Sequence, residues 1–248
     1  MDKLVYTAAT GLRAHMAAQA AIANNMANAS TIGFRADRVA FDQVLLKGAA
    51  GELEARTPAT EEVRDADRTQ GSVQQTGRPL DVAVAGADAW LAVQAADGEE
   101  AYTRRGDLQV TASGVLQTGD GFIVQGQGGP ITLPPFSSVS IAADGTIAIV
   151  PTAGGEPQTV DRLKLVSTKG SDTVKGLDNL LRVRGGGALP DDLDARVQAG
   201  ALEGSNVDIA QALVDMIENQ RSYEVTASLM RSAKDMDESG ASLMRLPT

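Results

Sequence analysis

Cysteine is absent, which removes disulfides and thiolate metal sites from consideration. Aromatic residues are nearly as scarce, with one Trp, three Tyr and four Phe in 248 residues. The large anchors that dominate many ligand pockets and interface hot spots are therefore few, and burial has to be spread over extended surfaces. The single histidine, His15, leaves a catalytic triad or a His-based metal site short of parts. Positive charge is also in deficit: 22 Lys and Arg against 32 Asp and Glu give a net charge of −10. Phosphate backbones and anionic membranes are repelled by such a surface, so no nucleic-acid partner is expected. No run approaches the roughly 18 apolar residues that a span requires, so no direct membrane span is expected. The basic and then continuously apolar pattern of a cleaved signal peptide is not found between Met1 and Met26. What the chain does hold is Ala, Gly and Val, enough for a core built of small pieces in one large domain or two modest ones.

Two segments carry helical periodicity. Val5, Leu12, Gln19 and Met26 recur every seven residues, Ala8, Ile22 and Ala29 follow three positions later, and Met16 widens the stripe. A helix from Lys3 to Ala29 would be about 40 Å long. His15 falls on the same stripe and reads as a packed or interface residue. Near the C-terminus, Ile209, Met216, Tyr223 and Met230 repeat the spacing, with Leu213, Gln220 and Ala227 on the adjoining row. Ser205, Asn206 and Asp208 form a capping arrangement at its start.

The middle changes to period two with turn punctuation. Leu80–Gly86, Trp90–Gln94, Ala101–Gly106, "FIVQG", "ITLP", "RLKLVS" and "NLLRV" read as short strands, and Asp97-Gly98, Asp120-Gly121 and Asp144-Gly145 as tight turns. Residues 48–69 and 185–190 read as linkers or exposed loops. "GQGGP" at Gly126–Pro130 is a hairpin turn and not a phosphate loop, since Pro130 leads into another strand instead of a helix. The Asp-Gly turns lack the alternating ligands and closing Glu of a calcium loop. Adjacent acids such as Glu61-Glu62, Glu99-Glu100 and Asp191-Asp192 suit a solvated face better than the carboxylate pair of a glycosidase. No catalytic, cofactor-binding or metal-binding residue is assigned, no cofactor is expected, and the chain does not read as an enzyme.

Three stretches carry a resemblance. "NNMANASTIGFR" at Asn24–Arg35 resembles the segment ending the first helix of bacterial flagellar rod and hook proteins. "LEGSNVDIAQALVDMIENQRSY" at Leu202–Tyr223 is similar to the opening of their last helix, and "PLDVAVAGADAWLAVQ" with the strands after it resembles their central β module. One departure is Gly86-Ala87-Asp88-Ala89-Trp90, where that family has a second glycine. The resemblance implies a proximal-rod subunit, with the distal-rod branch as the nearest rival. It further implies export by the flagellar apparatus without a cleaved signal, incorporation with itself and other rod proteins into a helical periplasm-spanning rod, and a structural role in motility.

The expected fold is α+β. Residues 1–35 and 203–248 form long helices pairing in a coiled-coil-like inner domain, 36–75 connect, and 76–202 form a β-rich outer domain. The expected assembly interface comprises Val5, Leu12, Met16, Ile22, Met26, Asn28, Gly33 and Phe34 on the N-terminal side. On the C-terminal side it takes in Ile209, Leu213, Met216, Gln220, Tyr223 and Met230. A wall-acting hydrolase and a β-rich adhesin on helical stalks are the competing classes; either would keep its activity without residues 1–28.

Overall fold

A computed structural model describes residues 2–43 and 59–244, and its architecture is α+β with terminal helices flanking a β-rich middle. Helix α1 spans Asp2–Ala27 and α2 spans Ile209–Met244. Between them the described residues form eighteen short strands, beginning with β1 (Asp37–Gln43), β2 (Ala59–Ala66), β3 (Val73–Gln75), β4 (Val82–Val84), β5 (Ala89–Gln94) and β6 (Glu100–Thr103). Next come β7 (Gln109–Val110), β8 (Leu116–Gln117), β9 (Ile123–Gly126), β10 (Gly129–Pro130), β11 (Phe136–Ile141) and β12 (Thr146–Pro151). The last six are β13 (Gln158–Arg162), β14 (Leu165–Ser167), β15 (Thr173–Lys175), β16 (Leu181–Val183), β17 (Val197–Ala199) and β18 (Ala201–Glu203).

The chain divides into two units. The helical unit holds residues 1–27, 37–64 and 208–248, and the β unit holds 28–36 and 65–207. Residues 28–35 and 203–207, grouped with the helices in the sequence reading, lie in the unit that holds the strands. The cause is local, because Phe34 and Arg35 are buried there and the Gly33 amide donates to the Glu203 carbonyl at 2.8 Å.

Strand β5 is the centre of the β unit. It pairs antiparallel with β6 on one edge, and on the other with β14 near its start and β9 near its end. Its side chains alternate between two apolar clusters. Leu91 and Val93 enter a large one with Leu108, Leu116, Val124 and Ile147, while Trp90 and Ala92 enter a smaller one with Tyr102, Val166 and Leu181. A strand covered on both faces reads as a continuous apolar run, which is what "AWLAV" is.

Four connections share one geometry. In Ala95–Glu99, Thr111–Val115, Thr118–Phe122 and Ala142–Thr146 the first residue donates its amide to the carbonyl four positions on, and the fourth-position glycine donates back to the first. Gly98, Gly114, Gly121 and Gly145 have φ between 85° and 89°. These are three-residue hairpin loops closed by a left-handed glycine. The preceding Asp keeps negative φ and contributes instead through its side chain, Asp97 Oδ1 accepting from Glu99 N and Asp144 Oδ1 from Thr146 N, each at 3.0 Å.

Four local expectations are corrected. "ITLP" is not a strand; only Thr132 makes an isolated bridge, to Val115, and the ladder partner of β9 is Gly129–Pro130, leaving Gln127-Gly128 as the turn. Residues 59–66, expected as linker, pair with β1 as β2, because backbone pairing does not register in a hydropathy reading. Residues 48–58 of that linker lie outside the described residues. The cap of α2 is Asp208 alone, whose Oδ1 accepts from Ala210 N at 2.9 Å and Gln211 N at 3.3 Å, while Ser205 caps a separate turn through Val207 N. Asn24 and Asn25 do not terminate α1: Asn25 brackets the Asp37 backbone, Oδ1 taking its amide at 2.7 Å and Nδ2 reaching its carbonyl at 3.1 Å.

Candidate functional site

Helix α2 presents two faces of different character. Met216 and Met230 are half-buried on the seven-residue row read from the sequence, Tyr223 lies at the margin, and Ile209 is exposed. The second inward row is Ala212, Asn219, Thr226 and Ala233, one residue before the expected Leu213, Gln220 and Ala227. Leu213 and Gln220 are exposed in the subunit, and Ala227 is half-buried. The shift has a chemical cause at Asn219. His15 Nδ1 lies 2.8 Å from Asn219 Oδ1, and Asn219 Nδ2 donates to the His15 carbonyl at 2.8 Å. A polar residue thus fills a row that an apolar search assigns to Leu213 and Gln220, and the small Thr226 lies against Gly11. The sole histidine is structural, as its stripe position implied.

Six other large apolar side chains of α2 face the other way. Leu213, Val214, Ile217, Val225, Leu229 and Met236 are all exposed, Ile217 at 62%. On α1, Met16 is exposed at 61%, while Leu12, Ile22 and Met26 are half-buried; the Val5 side chain lies outside those described.

In the β unit, Asn28 and Gly33 are half-buried and Phe34 is buried. Gly33 takes φ 67°, and a Cβ there would sit 2.5 Å from the carbonyl carbon of Arg104 and the amide of Arg105, so only glycine allows this approach. Lys175 Nζ stands 3.9 Å above the Phe34 ring and donates to the Arg35 carbonyl at 2.7 Å. Beside it is a group that sequence reasoning missed. Glu203, with no exposed surface, accepts from Arg35 Nη2 at 2.5 Å and from Gly71 N at 2.8 Å on Oε1, and from Arg104 Nη1 at 3.0 Å on Oε2. Both guanidiniums lie over the Trp90 ring, at 5.8 Å for Arg35 and 5.3 Å for Arg104. Arg104 also donates to the carbonyls of Val84 and Gly86. Burial pulls the Arg104 pKa down to about 10 against the opposing pull of Glu203, with Arg35 adding to the fall. The only hint in the sequence was charge placed directly after or at the end of buried strands, Arg104 beyond β6 and Glu203 closing β18.

Chemistry of other kinds finds no support in the geometry. Among the described residues no group of three or more His, Cys, Asp or Glu could hold a metal, and no helix is long and apolar enough to cross a membrane. The missing glycine at Asp88 is not needed: among the described residues Asn179 is the only non-glycine at positive φ, and the Asp88 carbonyl accepts from Thr168 N at 2.9 Å.

Comparison with known proteins falls on the same segments. Residues 5–35 match the family model "Flagella basal body rod protein", 83–149 match "Flagellar hook protein FlgE/F/G D1 domain", and 198–243 match "Flagellar basal body rod FlgEFG protein C-terminal". The chain is 43% identical over 244 residues to the flagellar basal-body rod protein FlgF of Salmonella typhimurium, covering 95% of each. The chain belongs to the flagellar basal-body rod protein family. The rod protein FlgF of Escherichia coli is 42% identical over 95% of each chain, whereas the rod protein FlgG of Bacillus subtilis is 30% identical over 95% of this chain and 97% of its own. Within this rod-family chain the first matched segment ends at Arg35, the second contains Arg104 and the third contains Glu203, so the buried triad takes one residue from each.

Proposed function

We propose that this chain is a structural, non-catalytic subunit of the proximal part of the flagellar basal-body rod, polymerising through its terminal helices to help form the drive shaft for motility. The observation that carries this reading is the outward apolar face of α2, running from Leu213 to Met236 with its large side chains in the open. Apolar surface of that extent on one helix calls for cover by a further helix, and in a rod the cover is a neighbouring subunit. Heterologous contacts that do not close on themselves extend into a filament, as the rod reading requires. The His15–Asn219 pair and the small residues Gly11, Ala212 and Ala233 support a coiled-coil-like pairing of α1 with α2 on the inward rows, leaving Met16, Leu213, Ile217 and Tyr223 for neighbours.

The higher identity to FlgF than to FlgG relatives supports the proximal over the distal position. Family membership supports partners drawn from other rod proteins and further copies of this chain, delivered by the flagellar export apparatus to a periplasm-spanning rod. The segments 1–35 and 203–248 would then act as the inner part of the rod, 76–202 as the outer body, and 36–75 as the connection.

Electron microscopy of hook–basal bodies isolated from a clean deletion strain, with labelled protein restored, tests this reading. The expected result is loss of rod and hook in the deletion, with label at the membrane-proximal rod after restoration. Normal basal bodies without the protein would overturn it, and label confined to the distal rod would overturn the proximal assignment.

A further inference from the structure

The chain enters and leaves the β unit at three places: residues 28–36 after α1, residues 65–71 after β2, and residues 203–207 before α2. Inside the β unit all three meet on two side chains of the third passage. The Glu203 carboxylate binds the first passage through Arg35 Nη2, the second through Gly71 N, and the sheet through Arg104, while its main-chain carbonyl accepts from Gly33 N. Asn206, three residues later, repeats the arrangement. Its Oδ1 accepts from Ala36 N at 2.7 Å, and its Nδ2 donates to the carbonyls of Asp67 and Thr69, each at 3.0 Å. Backbone bonds complete the lattice: Asp67 N to the Ala36 carbonyl at 2.8 Å, Gly204 N to the Ser72 carbonyl at 2.8 Å, and Asn206 N to the Phe34 carbonyl at 3.3 Å. Contact is close enough that a Cβ on Gly71 would stand 2.2 Å from the Gly204 carbonyl oxygen.

We propose that Glu203 and Asn206 form a lock that makes the three passages open and close as one cooperative element, independently of the sheet centred on β5. The physical reason is the shared buried acceptor. Withdrawing any one passage leaves a fully buried carboxylate or guanidinium short of partners in a low-dielectric site, so partial opening costs nearly as much as complete opening. The origin of Arg35, Arg104 and Glu203 in three separately matched segments fits a device that ties those segments together. The inference rests on the β unit alone and stands whether or not the rod reading does.

Native-state amide hydrogen exchange on the full-length chain tests it, comparing wild type with Asn206→Ala and Glu203→Gln. In the wild type the amides of Gly33, Ala36, Asp67, Gly71 and Asn206 are expected to share one opening rate. Asn206 touches neither Gly33 nor Gly71, so its effect on them reports coupling and not a lost bond. Each variant is expected to accelerate the whole set about tenfold or more while Ala92 and Leu116, held in the sheet, keep wild-type rates. Acceleration in Asn206→Ala confined to Ala36, Asp67 and Asn206 would overturn the lock, as would unequal opening rates in the wild type. Equal acceleration of Ala92 and Leu116 would overturn its independence from the sheet. Should Glu203→Gln fail to fold, Asn206→Ala decides alone.

Discussion

Strand β5 and helix α2 are both rich in apolar residues, yet they treat them oppositely. Leu91, Ala92 and Val93 have no exposed surface, whereas Leu213, Val214, Ile217, Val225, Leu229 and Met236 on α2 stand in the open. The β unit covers most of its large apolar side chains itself, its clusters filling mainly with aliphatics, and Glu203 pairs with both Arg35 and Arg104 within it. The helical unit half-buries Met216 and Met230 beside the small and polar residues around His15 and Asn219, and leaves six other large apolar side chains of α2 exposed. Fully burying one Val, Leu or Ile is worth about 1.5–3 kcal/mol, so the outward face holds back a sizeable stabilisation until something covers it. That contrast separates two kinds of apolar residue, one that makes the subunit stable and one that makes it associate. Substitutions in the two units should therefore fail in different assays.

The largest effect on stability is expected in the β unit at Glu203. Glu203→Ala leaves two buried guanidiniums facing each other with no carboxylate between them, and should cost about 3–5 kcal/mol. Denaturant unfolding of the purified chain, followed by Trp90 fluorescence, measures this; a loss below about 1 kcal/mol would mean that the triad is solvated and the contrast between the units is overdrawn. Next is Gly33→Ala, where a methyl must displace the Arg104–Arg105 peptide while holding a left-handed φ. Overpacking and backbone strain together place it near 3 kcal/mol in the same assay.

These positions show what the sequence could and could not disclose. Three of the four hairpin loops were readable because Asp-Gly reports a local requirement, a left-handed glycine after a type I turn, that no distant residue alters; the fourth, at Ser113-Gly114, was not singled out. Strand β5 was readable because "AWLAV" is apolar throughout. The inward face of α2 was readable only in part: Met216 and Met230 fall on the row read from the sequence, whereas Asn219 and Thr226 are polar or small, and the periodicity selects the neighbouring row of Leu213 and Gln220 in their place. The Arg35–Glu203–Arg104 triad escaped for a related reason: each charge alone looks like surface, and only the fold brings residues 168 apart in sequence to 2.5 Å. Gly33 and Phe34 were singled out for the assembly interface, and the surroundings in the β unit make glycine stereochemically obligatory at the first of them.

A smaller effect is expected at the turn of Asp144. Hydrogen bonds from the Thr146 amide and hydroxyl hold its carboxyl below the ordinary value near 3.8, with Arg162 assisting. A depressed folded pKa means that the unfolded chain binds the proton first as pH falls. The contribution is therefore complete above about pH 4 and is lost as the pH drops through the folded value. Asp144→Asn should flatten this acid limb of the stability curve of the β unit by lowering the neutral-pH plateau slightly, the two proteins converging as the pH falls. An acid limb identical to wild type would remove the turn from the account.

The smallest effect on stability, and the sharpest test of the contrast, is expected at Ile217. Ile217→Asp replaces an exposed apolar side chain by a charged one, so the free energy of unfolding should move by no more than about 0.5 kcal/mol. Burying that carboxylate against a neighbouring subunit would carry the full cost of an unpaired charge in an apolar contact. The variant should therefore fold, resist protease as wild type does, and fail to restore rods or swimming to the deletion strain. Ile217→Leu, which keeps the apolar surface, should restore both. If Ile217→Asp restored motility in full, the outward face of α2 would be a solvent face after all, and the apolar residues there would need another reason to exist. If it instead unfolded the chain, Ile217 would belong with Leu91 among the residues that stabilise the subunit, and the division between the two kinds of apolar residue would fall elsewhere along α2.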